Sequence, residues 1–185
     1  MKQKIYLITG LMASGKSTVS DLLAKSIEKC VHLRGDVFRK MIISGRENMS
    51  ATPSAEAVRQ LYLRYKLTAD AARSYFDNGF SVVIQDNYYG DELNRMINYL
   101  HKYPVEVVVL CPDVETIKER ERYREKTGYS GFTVETLYDT FMQTTPRIGF
   151  WLDNSNQNTT ADSRNHSERQ KVGMIVTYKG KKNFF

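Results

Sequence analysis

Eight residues near the start of the chain, Gly10-Leu11-Met12-Ala13-Ser14-Gly15-Lys16-Ser17, combine the residue types needed to hold a polyphosphate. They match the pattern G-x-x-x-x-G-K-[ST] in full. Gly10 and Gly15 permit a tight bend and a close approach of backbone to phosphate oxygens. Backbone N–H groups through Ala13, Ser14, Gly15 and Lys16, continued by Ser17 and Thr18 where a helix begins, form an anion-binding concavity. Lys16 supplies a point charge for the β- and γ-phosphates, and Ser17 a hydroxyl for Mg²⁺. The competing reading is a glycine-rich turn with no ligand, which the strand before the loop and the amphipathic helix after it disfavour.

Further along, Arg34-Gly35-Asp36-Val37-Phe38-Arg39 closes an apolar segment. Asp36 and Arg39 are three residues apart and share a helix face. Asp36 is a candidate general base for an attacking hydroxyl and Arg39 a candidate holder of the acceptor; the alternative is a helix-capping aspartate beside a surface arginine. Phe80-Ser81-Val82-Val83-Ile84-Gln85 ends at Asp86, a hydrophobic strand closing on a carboxylate that can hold Mg²⁺ directly or through water. Arg120 and Arg124 are four apart in a charged helix; they can neutralise a transferring phosphoryl group or line a solvated, ion-paired face. Arg147, in Thr145-Pro146-Arg147, is either a nucleotide neighbour or an ordinary loop residue. Tyr62 and Tyr65 read as core packing before they read as a stacking platform.

These residues need a scaffold, and the apolar pattern supplies one. Short apolar runs at Ile5–Thr9, Cys30–Leu33, Phe80–Gln85, Val105–Leu110 and Phe150–Leu152 read as strands. Between them, Lys16–Lys29, Asp36–Ile43, Pro53–Asp77, Asp91–His101, Asp113–Lys126 and Val134–Gln143 read as helices. This alternation predicts an α/β domain on a parallel sheet, in which the C-terminal ends of the strands face the ligand crevice. The expected division is a domain over 1–155 and a polar, basic tail over 156–185, peripheral or poorly ordered, with Met174–Tyr178 able to form a short strand.

The chain of 185 residues is 41% hydrophobic and 26% charged, which suits one globular domain with a core. The last 25 residues hold six basic and two acidic side chains and so carry +4 of the formal net charge of +6. The basicity therefore belongs to the tail and argues only weakly for a nucleic-acid-binding body. Cys30 and Cys111 each adjoin an apolar run and read as two separate buried thiols, neither a disulfide framework nor a metal knuckle. No run approaches a bilayer-spanning length, and Met1-Lys2-Gln3-Lys4 enters a strand without a leader-like apolar region. Reducing cytoplasm is the expected compartment, and no membrane partner is expected.

A GTPase would carry a guanine-reading N-K-x-D after a later strand, and the chain has none. A motor or AAA-type machine is expected to need a longer chain. On the residues above, 3–155 resembles the small P-loop kinases, closest to chloramphenicol phosphotransferase-like proteins and polynucleotide 5′-hydroxyl kinase domains. The resemblance implies a P-loop NTPase fold: a five-stranded parallel sheet in order 2-3-1-4-5 with helices on both faces. It implies ATP and Mg²⁺ as donor and cofactor, Asp36 as base, Arg39 as acceptor-binding residue and lid arginines among Arg120–Arg124. The expected activity is transfer of the γ-phosphate to a hydroxyl of a small molecule, an antibiotic or a metabolite. A polynucleotide 5′-hydroxyl acceptor is the second expectation, and a nucleotide-sensing protein without transfer the third. Such kinases end in an amphipathic helix on the sheet, and 156–170 lacks the apolar period for one.

Overall fold

The computed structural model describes residues 2–123, 133–155, 170 and 172–176. In chain order the elements are β1 (Ile5–Gly10), α1 (Lys16–Lys25), β2 (Cys30–Arg34), α2 (Gly35–Lys40), α3 (Ala55–Asp77), β3 (Ser81–Gln85), α4 (Asp91–Tyr99), β4 (Val105–Leu110), α5 (Val114–Arg122), α6 (Val134–Thr144) and β5 (Phe150–Leu152). The strands form a parallel five-stranded sheet in the order β2-β3-β1-β4-β5, as expected.

Period-two alternation divides the core between the two faces of this sheet. Ile5, Leu7, Val82, Ile84, Val107 and Val109 point to one face, where Tyr65 and Ala69 of α3, Met96 of α4 and Phe141 of α6 cover them. Tyr6, Ile8, Val83, Val108 and Leu110 point to the other, under Val19 and Leu23 of α1. Every residue of β1 is buried, since it is central in the sheet and covered on both sides. Cys30 and Cys111 are free, only partly buried, and packed against opposite faces.

Element boundaries move for identifiable reasons. The helix expected over Lys16–Lys29 stops at Lys25, where the Ser26 hydroxyl donates to the Leu23 carbonyl and competes with the next helical turn. The long helix opens at Ala55, not Pro53, because Ser54 caps it by accepting from Ala57 N–H at 3.0 Å. Residues 172–176 are helical rather than the short strand expected there, and Val172 and Ile175 are buried against the face that α1 covers. An apolar spacing of three places both on one helix face. The rest of the expected tail, 156–169, 171 and 177–185, lies outside the described residues, as does the segment 124–132 that contains Arg124.

Candidate active site

The strand order fixes the site. With β3 between β2 and β1, the three strand ends carry in sequence Asp36, Asp86 and the phosphate-binding loop. Together they wall a cavity of about 640 Å³, lined on one side by Lys16, Ser17 and Thr18 and on the other by Asp36, Arg39 and Lys40.

The loop has the backbone of an anion nest. Gly10 and Gly15 adopt φ of 146° and 94°, and Ala13 at 62° is the one non-glycine at positive φ among the described residues. A Cβ at Gly10 would fall 2.4 Å from the Leu110 carbonyl oxygen, so the close packing of β4 as well as the bend requires glycine. The Lys16 ammonium donates to the Gly10 and Leu11 carbonyls at 2.8 and 2.6 Å. The back of the loop is pinned from across the sheet. Asn154, just after β5, donates to the Ser14 carbonyl at 2.8 Å. Arg120 of α5 donates to the same carbonyl at 3.3 Å and to the Asn154 carbonyl at 2.7 Å. Arg120 therefore sits against the phosphate-binding loop and lines the cavity.

Asp36 occupies the first turn of α2, where Arg34, not Asp36, holds the cap position. Its carboxylate accepts from Arg39 Nε at 2.8 Å and pairs with Lys40 Nζ at 2.9 Å, with 44% of the side chain exposed. Burial alone would raise its pKa, but the Lys40 and Arg39 hydrogen bonds outweigh that and hold it below the ordinary carboxylate range. Arg39 also donates to Asn48 in the loop before α3.

Asp86 is more deeply set. Asn87 N–H donates to its Oδ1 at 2.8 Å, and Arg64 of α3 brings Nε to 3.0 Å from Oδ2. Burial pushes this carboxyl above its ordinary range, with the Arg64 guanidinium opposing. Tyr65 fixes the adjoining turn by donating from its buried hydroxyl to the Asn87 carbonyl, and Tyr62 packs on the core with Arg95 over its ring. Both tyrosines are therefore packing residues, as the sequence suggested.

A divalent cation fits the donors present. Ser17 and Asp86 offer hard oxygens to the same cavity, and Asp86 shares its Oδ2 with Arg64 Nε in an ion pair that a cation would have to join or displace. Mg²⁺ is commonly held by one or two carboxylates with waters and substrate phosphates, so a cage of protein ligands is not needed. Among the described residues no group of three or more His, Cys, Asp or Glu gathers.

Of the residues singled out in the sequence, Lys16, Ser17, Asp36, Arg39, Asp86 and Arg120 meet at this cavity. Arg147 does not; its guanidinium lies 3.9 Å over the Trp151 ring. Arg124 lies outside the described residues. Sequence reasoning missed Gly35, whose added Cβ would fall 2.1 Å from Asp86 Oδ2. It also missed Lys40, Arg64, Gln85 and Asn154. Gly35 carried a local signal, a glycine opening a helix where Cβ is normally tolerated, and Lys40 carried one in its place four residues after Asp36 on the same helix; the other three act through partners that sequence position does not reveal.

Residues 5–143 match the family described as AAA domain. No curated protein sequence matches the chain. Among solved structures, a sugar kinase from Janibacter sp. superposes with a TM-score of 0.60 at 15% identity, covering 95% of this chain and 96% of that one. The tunicamycin resistance protein of Deinococcus radiodurans gives 0.63 at 13%, covering 96% and 98%. A chain of the Pnkp1/Rnl/Hen1 RNA repair complex gives 0.60 at 18%, covering 85% of this chain and 51% of that one. The length argument that set aside an AAA-type machine thus does not set aside the AAA family by name, while these neighbours in fold include kinases. The chain belongs to the AAA domain family and has the fold of the small P-loop kinases.

Proposed function

We propose that the protein is an ATP- and Mg²⁺-dependent phosphotransferase that moves the γ-phosphate to a hydroxyl of a small molecule. The observation that carries this reading is the shared cavity, with Lys16 and Ser17 on one wall and the Asp36 carboxylate, clamped by Arg39 and Lys40, on the other. A nucleotide-binding loop alone would suit a sensor; a fixed carboxylate across the same cavity suits an acceptor hydroxyl.

In this reading Lys16 exchanges the Gly10 and Leu11 carbonyls for β- and γ-phosphate oxygens, and the loop N–H groups hold the remaining charge. Asp36 accepts the hydrogen bond of the attacking hydroxyl and takes its proton as the O–P bond forms, while ADP departs. The transition state of phosphoryl transfer is loose, so Asp36 mainly orients the nucleophile. Arg39, tied to Asp36, holds the acceptor beside it. Arg120 offers a guanidinium to charge developing on the transferred group. Mg²⁺, held by Ser17 and Asp86, would supply charge neutralisation at the β- and γ-phosphates.

A polynucleotide 5′-hydroxyl acceptor is the second reading, and the cavity lining supports it. Lys16, Arg34, Arg39, Lys40, Arg64 and Arg120 face only Asp36 and Asp86 there, a local cation excess that the near-balanced charge of the body conceals. No helix among the described residues is long and apolar enough to cross a membrane.

The test is transfer of labelled γ-phosphate from ATP across a panel of hydroxyl compounds and 5′-hydroxyl oligonucleotides, with Lys16→Ala as control. Labelled product from a small molecule, lost in Lys16→Ala, supports the first reading, and labelled oligonucleotide the second. Tight ATP binding with no labelled product leaves the protein a sensor.

A further inference from the structure

Ser17 does not stand alone in its wall of the cavity. Gln85, the last residue of β3, donates from Nε2 to the Ser17 hydroxyl oxygen at 2.8 Å. Its other amide atom, Oε1, lies 3.1 Å from His32 Nε2 on the neighbouring β2. The opposite ring nitrogen, Nδ1, lies 2.8 Å from Asp21 Oδ1 of α1. Asp21 is anchored in turn by Arg34, which donates to Oδ2 at 2.8 Å. Four side chains from α1, β2 and β3 thus run in an unbroken line of hydrogen bonds to the hydroxyl assigned to the metal. The parallel pairing of β2 with β3 produces the alignment: His32 pairs with Val83 and Arg34 with Gln85, which brings His32 and Gln85 side by side at the sheet surface that α1 covers.

We infer that Asp21, His32 and Gln85 form a positioning relay that aims the Ser17 hydroxyl for metal-bound nucleotide. The inference rests on the proposed role of Ser17. A hydroxyl that coordinates a cation must turn a lone pair to the metal and point its proton at an acceptor. Gln85 can be that acceptor, because a half-turn of its amide exchanges Nε2 for Oε1 opposite Ser17. The same half-turn presents Nε2 to His32. Asp21 favours the ring proton on Nδ1, which leaves His32 Nε2 as a lone pair able to accept from the amide. His32 can partner both orientations of Gln85, with a proton on Nε2 facing Oε1 when the amide donates to Ser17, and with a lone pair on Nε2 facing the amide N–H when the amide accepts from Ser17. The first occupies one of the two oxygen lone pairs and gives the hydroxyl proton no acceptor at Gln85; the second takes that proton and leaves both lone pairs to the cation. Such residues behind a metal ligand typically affect metal affinity by ~10–100-fold without touching the metal.

The experiment is calorimetric titration of ADP with and without Mg²⁺, reading the factor by which Mg²⁺ tightens binding. The wild type should show a clear factor and Ser17→Ala should lose it. Gln85→Met, close in volume with neither donor nor acceptor nitrogen or oxygen, should lose ~10-fold or more of the tightening, with metal-free ADP affinity unchanged. Gln85→Glu, which can still accept from Ser17, should keep it. His32→Leu, which leaves Gln85 unsupported, should lose part of it. Thermal melts of each variant show that a loss is not unfolding. If Ser17→Ala loses the factor while Gln85→Met or His32→Leu keeps it, the relay is overturned and the metal role of Ser17 survives. Equal loss in Gln85→Met and Gln85→Glu also overturns the relay, since acceptor capacity is then irrelevant. If Ser17→Ala keeps the full factor, the metal role of Ser17 falls and the relay falls with it.

Discussion

In the wall of the cavity Arg64 Nε stands 3.0 Å from Asp86 Oδ2, with the two side chains only 12% and 6% exposed. A buried pair like this is costly to break, because the remaining charge has neither partner nor water; removing one member typically costs ~3–5 kcal/mol. Arg64→Leu should therefore destabilise the protein by about 3 kcal/mol near neutral pH. The sign with pH follows from Asp86. Burial already raises its pKa above the ordinary range and Arg64 opposes that rise, so losing Arg64 raises it further. A carboxyl with a raised folded pKa favours the folded state at low pH and loses that contribution as pH climbs through the folded pKa. Urea denaturation should thus show the gap between Arg64→Leu and wild type widening as pH rises above the ordinary aspartate value of about 4. Adding Asp86→Asn should flatten that dependence. A gap that does not vary with pH would show that the cost of Arg64→Leu lies in lost packing.

The same carboxylate constrains Gly35. A methyl group there meets Asp86 Oδ2 at 2.1 Å, far inside contact distance, at the first residue of α2. Gly35→Ala should cost ~1–3 kcal/mol through overpacking and displace α2 together with Asp36. In Asp86→Ala the obstruction is gone, so the two substitutions should cost less together than the sum of the singles. Strict additivity in chemical denaturation would mean that α2 shifts without pressing on Asp86.

How far these relations could be read in advance depended on sequence distance. The phosphate-binding loop was legible because its donors are consecutive, and Asp36 with Arg39 because a separation of three on a helix guarantees proximity. The sheet order followed from resemblance, and the crevice at the strand ends from topology. The pairs that brace the site were not legible. Asn154 reaches Ser14 across 140 residues and Gln85 reaches Ser17 across 68, contacts that exist only once the strands have taken their order. Arg147 was open between a nucleotide neighbour and an ordinary loop residue because its stacking on Trp151, four residues on, depends on how β5 presents that indole. The helical residues 172–176 were obscured by a polar stretch before them, although Val172 and Ile175 carry the spacing of a helix face.

Arg120 ties α5 to the phosphate-binding loop at Ser14 and to the segment after β5 at Asn154, which gives it two separable roles. As a transition-state cation it can be worth ~10³-fold or more in kcat; as a brace for the loop it would act on nucleotide affinity. Arg120→Ala should lower kcat far more than it raises KM for ATP, because Asn154 continues to hold the Ser14 carbonyl at 2.8 Å. Arg120→Lys keeps the charge but not the planar fork, and should recover only a small part of kcat. A variant whose KM rises while kcat holds would assign Arg120 to bracing alone.

Asp36 separates an enzyme from a sensor, and its surroundings predict more than loss of activity. Asp36→Asn preserves shape and removes the proton acceptor, so kcat should fall by ~10²–10⁴-fold. ATP affinity should hold, because the carboxylate faces the loop across the cavity. The pH profile carries the finer test. Against the effect of burial, the hydrogen bonds from Lys40 and Arg39 keep this carboxylate ionised below the ordinary range. The acid limb of kcat that belongs to Asp36 should therefore lie below about pH 4, the ordinary aspartate value. Lys40→Ala removes one of those hydrogen bonds and should move the limb upward, toward neutrality, with little change on the plateau. Arg39→Ala should move it the same way and also raise KM for the acceptor, since Arg39 lines the cavity proposed to receive it. The measurement is a pH–rate series on wild type and the three variants with one acceptor. An acid limb unmoved by Lys40→Ala and by Arg39→Ala would show that another group titrates there. Wild-type kcat in Asp36→Asn would leave this carboxylate a structural partner of Arg39 and Lys40, with the base to be sought elsewhere in the cavity.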